Sequence, residues 1–379
     1  MALNLDLTET EEILRNTALT FLRRDMPKDL LQSLLETDTG YNEKIWKKAV
    51  DMGWPGIIIP EKYGGTDTPL TSAGVLFEAL GTGPLPGPYF SSGILGSLII
   101  LGSANEVQKD LLLPALVAGE RIVALALTEP EYSWEPSAVQ TTAKLKDGNF
   151  VIDGLKLFIQ DAGAATHFIV VARTGEGADP SKGLSLFLVD KEAPGVSVSQ
   201  VPGFLIGRSF EVKLSSVKIS QSDMLGNKDQ GWPVLELAIQ KSIPVLCAYK
   251  VGGCQSLIDM AVEYSRVREQ FGQPIGRFQR VQDHIIDMVH HTEAARWATY
   301  EALWKLDTQR PAAESVHLAK VLASHGYWEV VTLAHQVFSG ISYSKEHSAS
   351  YHTRTSRSLY SFLGEPAYHR QKLARLLTT

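Results

Sequence analysis

The chain has 379 residues, a formal net charge of −6 and a hydrophobic fraction of 44%. That length allows two or three structural units with a sizeable core, and the acidic balance excludes a nucleic-acid binder, because no basic stripe offsets it. The only two cysteines, Cys247 and Cys254, lie seven apart and so share a helix face; they read as buried thiols of a reducing cytosol rather than a disulfide or metal pair, and no metal is expected.

The N-terminal "MALNLDLTETEEILRN" is acidic and amphipathic, without the basic start and apolar run of a secretory signal. Within it Thr8 and Glu11 form a capping-box pattern ahead of an apolar face, which predicts a helix through "LTFLRRDM". A second amphipathic helix is predicted in "EKIWKKAVDMGWPGI", ended by Gly53 and Pro55. "IIIPEKYGGTDTPLTSAGVLFEALGTGPLP" reads as a glycine-rich loop, a helix and a proline-rich turn. The longest apolar stretch, "SSGILGSLIILGSA", falls short of about 18 residues and carries three glycines and four serines, so no membrane span is expected. "NEVQKDLLLPALVAG" predicts a further short helix.

From about residue 123 the pattern changes. "AVQTTAKLKDGNFVIDGLKLFI" alternates apolar and polar residues around Asp147-Gly148, a hairpin signal. "HFIVVART", "LSLFLVD", "VSVSQV" and "FEVKLSSVKIS" are short β-rich runs separated by turn residues, which suggests a compact barrel or sandwich. From about residue 231 the period returns to 3.6. Val281, Ile285, Met288, Ala295, Ala302 and Leu306 form one helical stripe; Val316, Ala319, Ala323, Val330, Ala334 and Val337 form another. Long helices with short joins suggest an antiparallel four-helix bundle. The expected fold is thus mainly α with a central β domain: residues 1–122 helical, 123–228 β, and 229–379 a helical bundle. The chain ends "LLTT", which is not a peroxisomal address, and a cytoplasmic location is expected.

Between two C-terminal helices lies "YSRVREQFGQPIGRFQRVQDHIIDM", Tyr264 to Met288. Gly272, Pro274 and Gly276 break one helix and start the next. Arg268 and Gln270 precede the break and Gln279 follows it. An arginine at such a corner can reach an anion in a neighbouring subunit, although surface arginines beside turns are common. As a whole, the string closely resembles the signature of the acyl-CoA dehydrogenase family of flavoproteins. "MGWPGIIIPEKYGG", "ALALTEP", "VIDGLKLFIQDAGAATHFIVVART" and "AHQVFSGISYSKEHSASYHTRTSRSLYSFLGEPAYHR" resemble further family segments in the family's order, so the likeness covers essentially the whole chain.

The resemblance implies FAD, an acyl-CoA substrate and an electron acceptor such as electron-transfer flavoprotein. A carboxylate removes the α proton of the thioester while the β hydride passes to the flavin. Hydrogen bonds to the thioester oxygen stabilise the developing enolate. By resemblance, Leu127 and Thr128 contact the isoalloxazine, and Phe158 and Gln160 lie at its face. Arg268 reaches the pyrophosphate across an interface with Phe271 beside it, and Gln279 lies near the adenine half. Gln336 and Gly340 hold the cofactor from the partner subunit. Any one of these could equally be a core or capping residue; together, in order, they favour FAD.

Several positions depart from the family pattern. Trp134, in "TEPEYSWEPS", stands where a small serine often meets the acyl-CoA. Ser339 and Ser342, in "SGIS", replace glycines of a Gly-Gly-x-Gly turn. All three are expected to add bulk near flavin or substrate. The base departs most. Its family position on the last aromatic helix is Leu363, before Gly364, and its alternative place on an earlier helix falls at Lys241 or Ser242. None is a carboxylate, so the catalytic residue is unknown from sequence.

Among the carboxylates that remain, Glu365 lies two residues past the expected site, a rotation of about 200° on a helix, and should point away. Asp161, next to Gln160, is a weak candidate, since turn aspartates usually cap their own backbone. Glu346 and His347 are expected to orient a helix junction, and His352 and Arg354 to pack or form ion pairs. "LGTGPLPGPYF", "FIQDAG" and "FLGEPAYHR" resemble the baseless small subunit of heteromeric relatives. The expected assembly is therefore an α2β2 heterotetramer with a homologous partner that supplies the carboxylate, acting on an unusual dicarboxylic, cyclic, aromatic or steroid-derived acyl group. The alternatives are a self-sufficient homotetramer with a non-standard base, a non-oxidative reaction on the same scaffold, and a flavin-less structural subunit.

Overall fold

The computed structural model describes residues 6–37, 39–176, 178–202 and 209–378. The reading of the first five residues, and of Thr379 in the terminal "LLTT", lies outside the described residues. The chain opens with α1 (Glu9–Asp25), α2 (Lys28–Glu36), α3 (Glu43–Asp51), α4 (Leu70–Gly81), α5 (Ser97–Ser103) and α6 (Glu106–Val117). Then come β1 (Val123–Ala126), β2 (Thr142–Lys146), β3 (Asn149–Gln160), β4 (His167–Arg173), β5 (Leu184–Asp190), β6 (Val196–Gln200), β7 (Ser209–Ser220) and β8 (Met224–Leu225). The rest is α7 (Gly231–Val267), β9 (Glu269–Gln270), β10 (Gln273–Pro274), α8 (Gln279–Asp307), α9 (Ala313–Phe338), α10 (Ser348–Tyr360) and α11 (Pro366–Thr378).

The helix starts follow local chemistry. The Thr8 backbone N–H donates to Glu11 Oε2 at 2.9 Å and Glu11 N–H donates to Thr8 Oγ1 at 3.3 Å, a complete capping box. Asn42 caps α3 through Ile45 N–H at 3.1 Å. Two helices were not anticipated. α2 shows no capping signal in the sequence, and α5 continues a π-helical turn, Ser91–Gly96, in the stretch weighed only as a membrane span. Among the described residues no helix is long and apolar enough to cross a membrane.

The chain divides into two compact units. One gathers Glu36–Thr68 and Pro86–Ser242 and holds the sheet. Its strands run β6-β7-β3-β2-β4-β5-β8, with β1 parallel to β4. The expected hairpin is β2 and β3, with Asp147 and Gly148 both at positive φ, as a tight two-residue turn requires. Every second residue faces one core: Phe150 and Ile152 from β3, Phe168, Val170 and Ala172 from β4, Phe187 and Val189 from β5, and Phe210, Val212 and Leu214 from β7. Strands from across the order thus share one core in a single mixed sheet.

The other unit gathers Met1–Leu35, Pro69–Leu85 and Ile243–Thr379. Its core joins Cys254, Leu257 and Ala261 of α7 to Met288 of α8, to Tyr327, Val330, Ala334 and Val337 of α9, and to Ala349 of α10. All six stripe positions expected on α9 are buried. On α8 the stripe is buried at Met288, Ala295 and Ala302 and only partly covered at Val281, Ile285 and Leu306. Both cysteines are free and buried, and burial pushes the Cys254 thiol up to about 12. α4 and α7 meet backbone to backbone. A Cβ on Gly252 would lie 1.8 Å from the Glu78 carbonyl oxygen, and one on Gly81 would lie 1.9 Å from that of Tyr249.

Candidate functional site

Two sets of expected residues emerge, one in each unit. In the sheet unit, β1 runs out at Ala126 into Leu127 and Thr128, both buried. Thr128 is stitched to β3: its Oγ1 donates to the Leu157 carbonyl at 2.6 Å, and Leu157 N–H donates back to the Thr128 carbonyl at 2.9 Å. Beneath them Lys156 Nζ donates to the Leu127 carbonyl at 3.2 Å and to Glu129 Oε1 at 2.8 Å. Glu129 also accepts the backbone N–H groups of Gln140 and Thr141. Burial pulls the fully enclosed Lys156 down to about 8 against the pull of Glu129. Burial would raise the Glu129 carboxyl, but the Lys156 charge and hydrogen bonds outweigh it and leave the group below its ordinary value. The sequence reading missed this buried pair, although a Lys in an otherwise apolar strand run was a legible signal.

The β3–β7 register shifts between Lys156 and Ile159, and Phe158 sits in that irregularity at φ 61°. Such a bulge re-aims a side chain, and the Phe158 ring is 36% exposed. Tyr132, itself at φ 47°, meets Phe158 edge-on with ring centroids 5.0 Å apart, and Trp134 meets Tyr132 at 6.3 Å. Trp134 thus extends a three-ring aromatic surface. Gln160 Nε2 donates to Ser209 Oγ at 3.2 Å. Asp161 follows at φ 58°; its Oδ2 accepts Ser91 Oγ–H at 2.6 Å, and its carbonyl accepts Ala164 and Ala165 N–H.

In the helical unit, β9 and β10 form a small hairpin between α7 and α8, with Phe271 and Gly272 at its tip at positive φ. Phe271 is 92% exposed, and Arg268 and Gln279 are exposed on either side. Gln336 and Gly340, at the end of α9, are exposed as well. His335 Nδ1–H donates to Ser342 Oγ at 2.6 Å, His335 Nε2 lies 2.8 Å from Thr353 Oγ1, and the imidazole stacks on Tyr343. Ser342 is fully buried, so its side chain closes the turn instead of adding bulk outside it.

Leu363 is 1% exposed, at φ 59° in the turn between α10 and α11. That turn is held from below. His369 Nε2–H donates to the Leu363 carbonyl at 2.8 Å, and Lys320 Nζ donates to the Gly364 carbonyl at 2.9 Å and the Tyr360 carbonyl at 3.3 Å. His317 Nδ1 lies 2.9 Å from His369 Nδ1. Because the Leu363 carbonyl can only accept, neutral His369 keeps its proton on Nε2 and takes one from His317 at Nδ1. Burial, then the nearby Lys250 ammonium, drives Lys320 well below its ordinary value. Lys250 is equally buried and donates to Ser324 Oγ at 2.7 Å, a hydroxyl that Lys320 shares at 3.1 Å. None of these lysines and histidines was singled out from sequence, since nothing local marks them.

The remaining candidates are placed as follows. Glu365 is exposed and its carbonyl accepts His369 N–H at the start of α11. Ser242 is buried and donates to the Ile239 carbonyl within α7, with Lys241 beside it. Glu346 is exposed and bonded to Ser344, and His347 caps α10 through Ala349 N–H. His352 is enclosed, bonded to Tyr327 Oη at 2.9 Å, and burial holds it at about 3.

FAD offers a flat ring system with a polar edge and a pyrophosphate. The first needs an aromatic or apolar face with donors beside it, and the second a cation. Phe158 with Thr128 and Gln160, and exposed Arg268 beside Phe271, are of those types. A Cβ at Gly340 or Gly272 would meet nothing within 4 Å, so both backbones stand open to close approach. The residues present fit the cofactor.

Comparison with known proteins agrees. Family models for the acyl-CoA dehydrogenase N-terminal, middle and C-terminal domains match residues 8–120, 124–207 and 229–378. A short-chain-specific acyl-CoA dehydrogenase of Megasphaera elsdenii is 30% identical over 84% of this chain and 85% of its own. The solved structure of butyryl-CoA dehydrogenase from Megasphaera elsdenii matches with a TM-score of 0.91 at 26% identity, covering 99% of this chain and 100% of that one. An FAD complex of PigA matches at a TM-score of 0.90 and 27% identity, covering 99% of each chain.

Proposed function

From the premise that this chain belongs to the acyl-CoA dehydrogenase family and takes part in FAD-dependent dehydrogenation of an acyl-CoA, we propose that it is one subunit of a heteromeric enzyme whose homologous partner supplies the catalytic carboxylate. One observation carries this reading. The position where the family resemblance places the base holds Leu363, a buried hydrocarbon that cannot accept a proton. The other places offer no substitute: Lys241 and Ser242 are not carboxylates, Glu365 is exposed to solvent, and the Asp161 carboxylate is engaged by Ser91.

Bound FAD supplies the oxidant for the β C–H bond. In this reading the chain's own residues bind and orient. Phe158 offers its ring to the flavin face, Thr128 and Gln160 its polar edge, and the Lys156–Glu129 pair fixes the segment that carries Leu127 and Thr128. Arg268, Phe271, Gln279, Gln336 and Gly340 all lie on exposed surface, which suits contacts to a flavin bound in a partner. The Tyr132–Trp134–Phe158 surface supports a wide, flat or cyclic acyl group, since three rings meeting edge-on offer broad apolar contact. A cytoplasmic location, electron-transfer flavoprotein as acceptor, and domains at 1–122, 123–228 and 229–379 complete the reading.

The test compares the purified chain alone with the chain co-expressed with a homologous partner that carries the glutamate. Flavin bleaching on addition of a CoA thioester under anaerobic conditions is the readout. The lone chain is expected to leave its flavin oxidised, and Leu363→Glu to gain bleaching. Rapid bleaching by the lone wild-type chain overturns the baseless reading. Its abolition by Asp161→Asn would then assign the base to Asp161.

A further inference from the structure

The end of α9 departs from what its residue types prefer. Ser339 adopts φ 57° and ψ −145°, a region occupied almost only by glycine. A serine held there must be fixed by its surroundings, and a closed ring of hydrogen bonds does so. Ser339 N–H donates to the His335 carbonyl. The Ser339 carbonyl accepts Ser342 Oγ–H at 2.8 Å, and Ser342 Oγ accepts His335 Nδ1–H at 2.6 Å. The ring therefore starts and ends on His335, and it encloses Gln336 and Gly340 in sequence. From outside, Thr353 Oγ1 of α10 lies 2.8 Å from His335 Nε2, and Tyr343 stacks on the imidazole with ring planes 17° apart.

The hydroxyl of Ser342 has a single proton, and a carbonyl can only accept it, so Nδ1 of His335 must be the donor. Burial, followed by the charges of His347 and Arg357, favours a neutral imidazole, which then carries its proton on Nδ1; Nε2 faces Thr353 Oγ1, which also lies 2.9 Å from the Ala349 carbonyl.

We propose that His335 and Ser342 are positioning residues that hold Ser339 in its left-handed conformation and so preset Gln336 and Gly340 for the cofactor. This rests on the cofactor reading of that turn. It goes beyond it in naming the residues that shape the turn, neither of which need touch FAD. The serines that depart from a glycine pattern thus work as a pair: Ser339 introduces the conformational cost and Ser342 offsets it.

The experiment measures FAD dissociation constants and release rates by flavin fluorescence on the purified assembled protein, with urea midpoints of the FAD-stripped protein alongside. Ser342→Ala and His335→Gln are each expected to weaken FAD by about tenfold, the equivalent of one lost hydrogen bond. Ser339→Gly removes the conformational cost, so Ser339→Gly/Ser342→Ala is expected to bind FAD within about threefold of Ser339→Gly alone. A purely structural role predicts shifted urea midpoints, unchanged FAD affinity and no rescue. Gln336→Ala separates the two levels. If it weakens FAD while Ser342→Ala does not, the clamp is wrong. If Gln336→Ala itself changes nothing, the cofactor reading of the turn falls, and the clamp falls with it.

Discussion

Lys156 Nζ lies 2.8 Å from Glu129 Oε1, with the lysine side chain fully enclosed and the glutamate side chain 7% exposed. Removing one partner of such a pair leaves an uncompensated buried charge, which costs about 3–5 kcal/mol. Lys156→Met is therefore expected to destabilise the protein by about that amount in urea unfolding, and to loosen Leu127 and Thr128. The Glu129 carboxyl titrates below its ordinary value in the folded state. Its contribution is thus present above the ordinary carboxylate range and is lost as pH falls through the depressed value. A Lys156→Met protein with wild-type stability would show that the pair contributes nothing.

Three histidines should give the fold a second acid sensitivity. Burial holds His352 and His369 at about 3, and burial with Lys372 holds His317 at about 4. Each is neutral when folded but protonated near 6.5 when unfolded. Between pH 6.5 and about 4 the unfolded chain binds more protons, so stability falls as pH falls. The slope is at most about 1.4 kcal/mol per pH unit for each group, and less for half-buried His317, which solvent screens. Urea midpoints at pH 7 and pH 5 check this; equal midpoints would rule it out.

Gly364 has φ 97°, and a Cβ there would lie 2.6 Å from His369 Nε2. Gly364→Ala forces a left-handed alanine and pushes the imidazole from the Leu363 carbonyl. We expect a loss of about 2–4 kcal/mol, read as a lower urea midpoint. If the midpoint holds, the His369 contact does not fix this turn.

Two further glycines should behave oppositely. Gly252→Ala drives a methyl group into the Glu78 backbone, which cannot yield without parting α4 from α7, and is expected to cost more than about 4 kcal/mol. At Gly340 nothing lies within 4 Å. Gly340→Ala should leave the FAD-stripped protein within about 0.5 kcal/mol of wild type while weakening FAD retention. Similar stability of both variants would refute the close approach of α4 and α7.

Most of the elements could be read from local order. Thr8 with Glu11 and Asp147 with Gly148 report contacts between near neighbours in the chain, the stripe from Val316 to Val337 reports a local helical period, and the structure has all three. The Arg268–Gly276 string likewise forms its own hairpin. α2 escaped because its short sequence carries no capping pattern, and α5 because a glycine- and serine-rich apolar run has no clear period.

The sequence by itself determined the order helical, β, helical, the family resemblance, and the leucine at position 363. Tertiary structure alone decided what surrounds those positions. Lys320 and His369 reach the 360–364 turn from other helices, Lys156 finds Glu129 across 27 residues, and Ser342 closes a ring through His335. Such partners are set by burial, where an unpaired polar group is costly and must take whatever donor or acceptor the fold brings near. That pairing leaves no period in the sequence, so it became visible only in the folded chain.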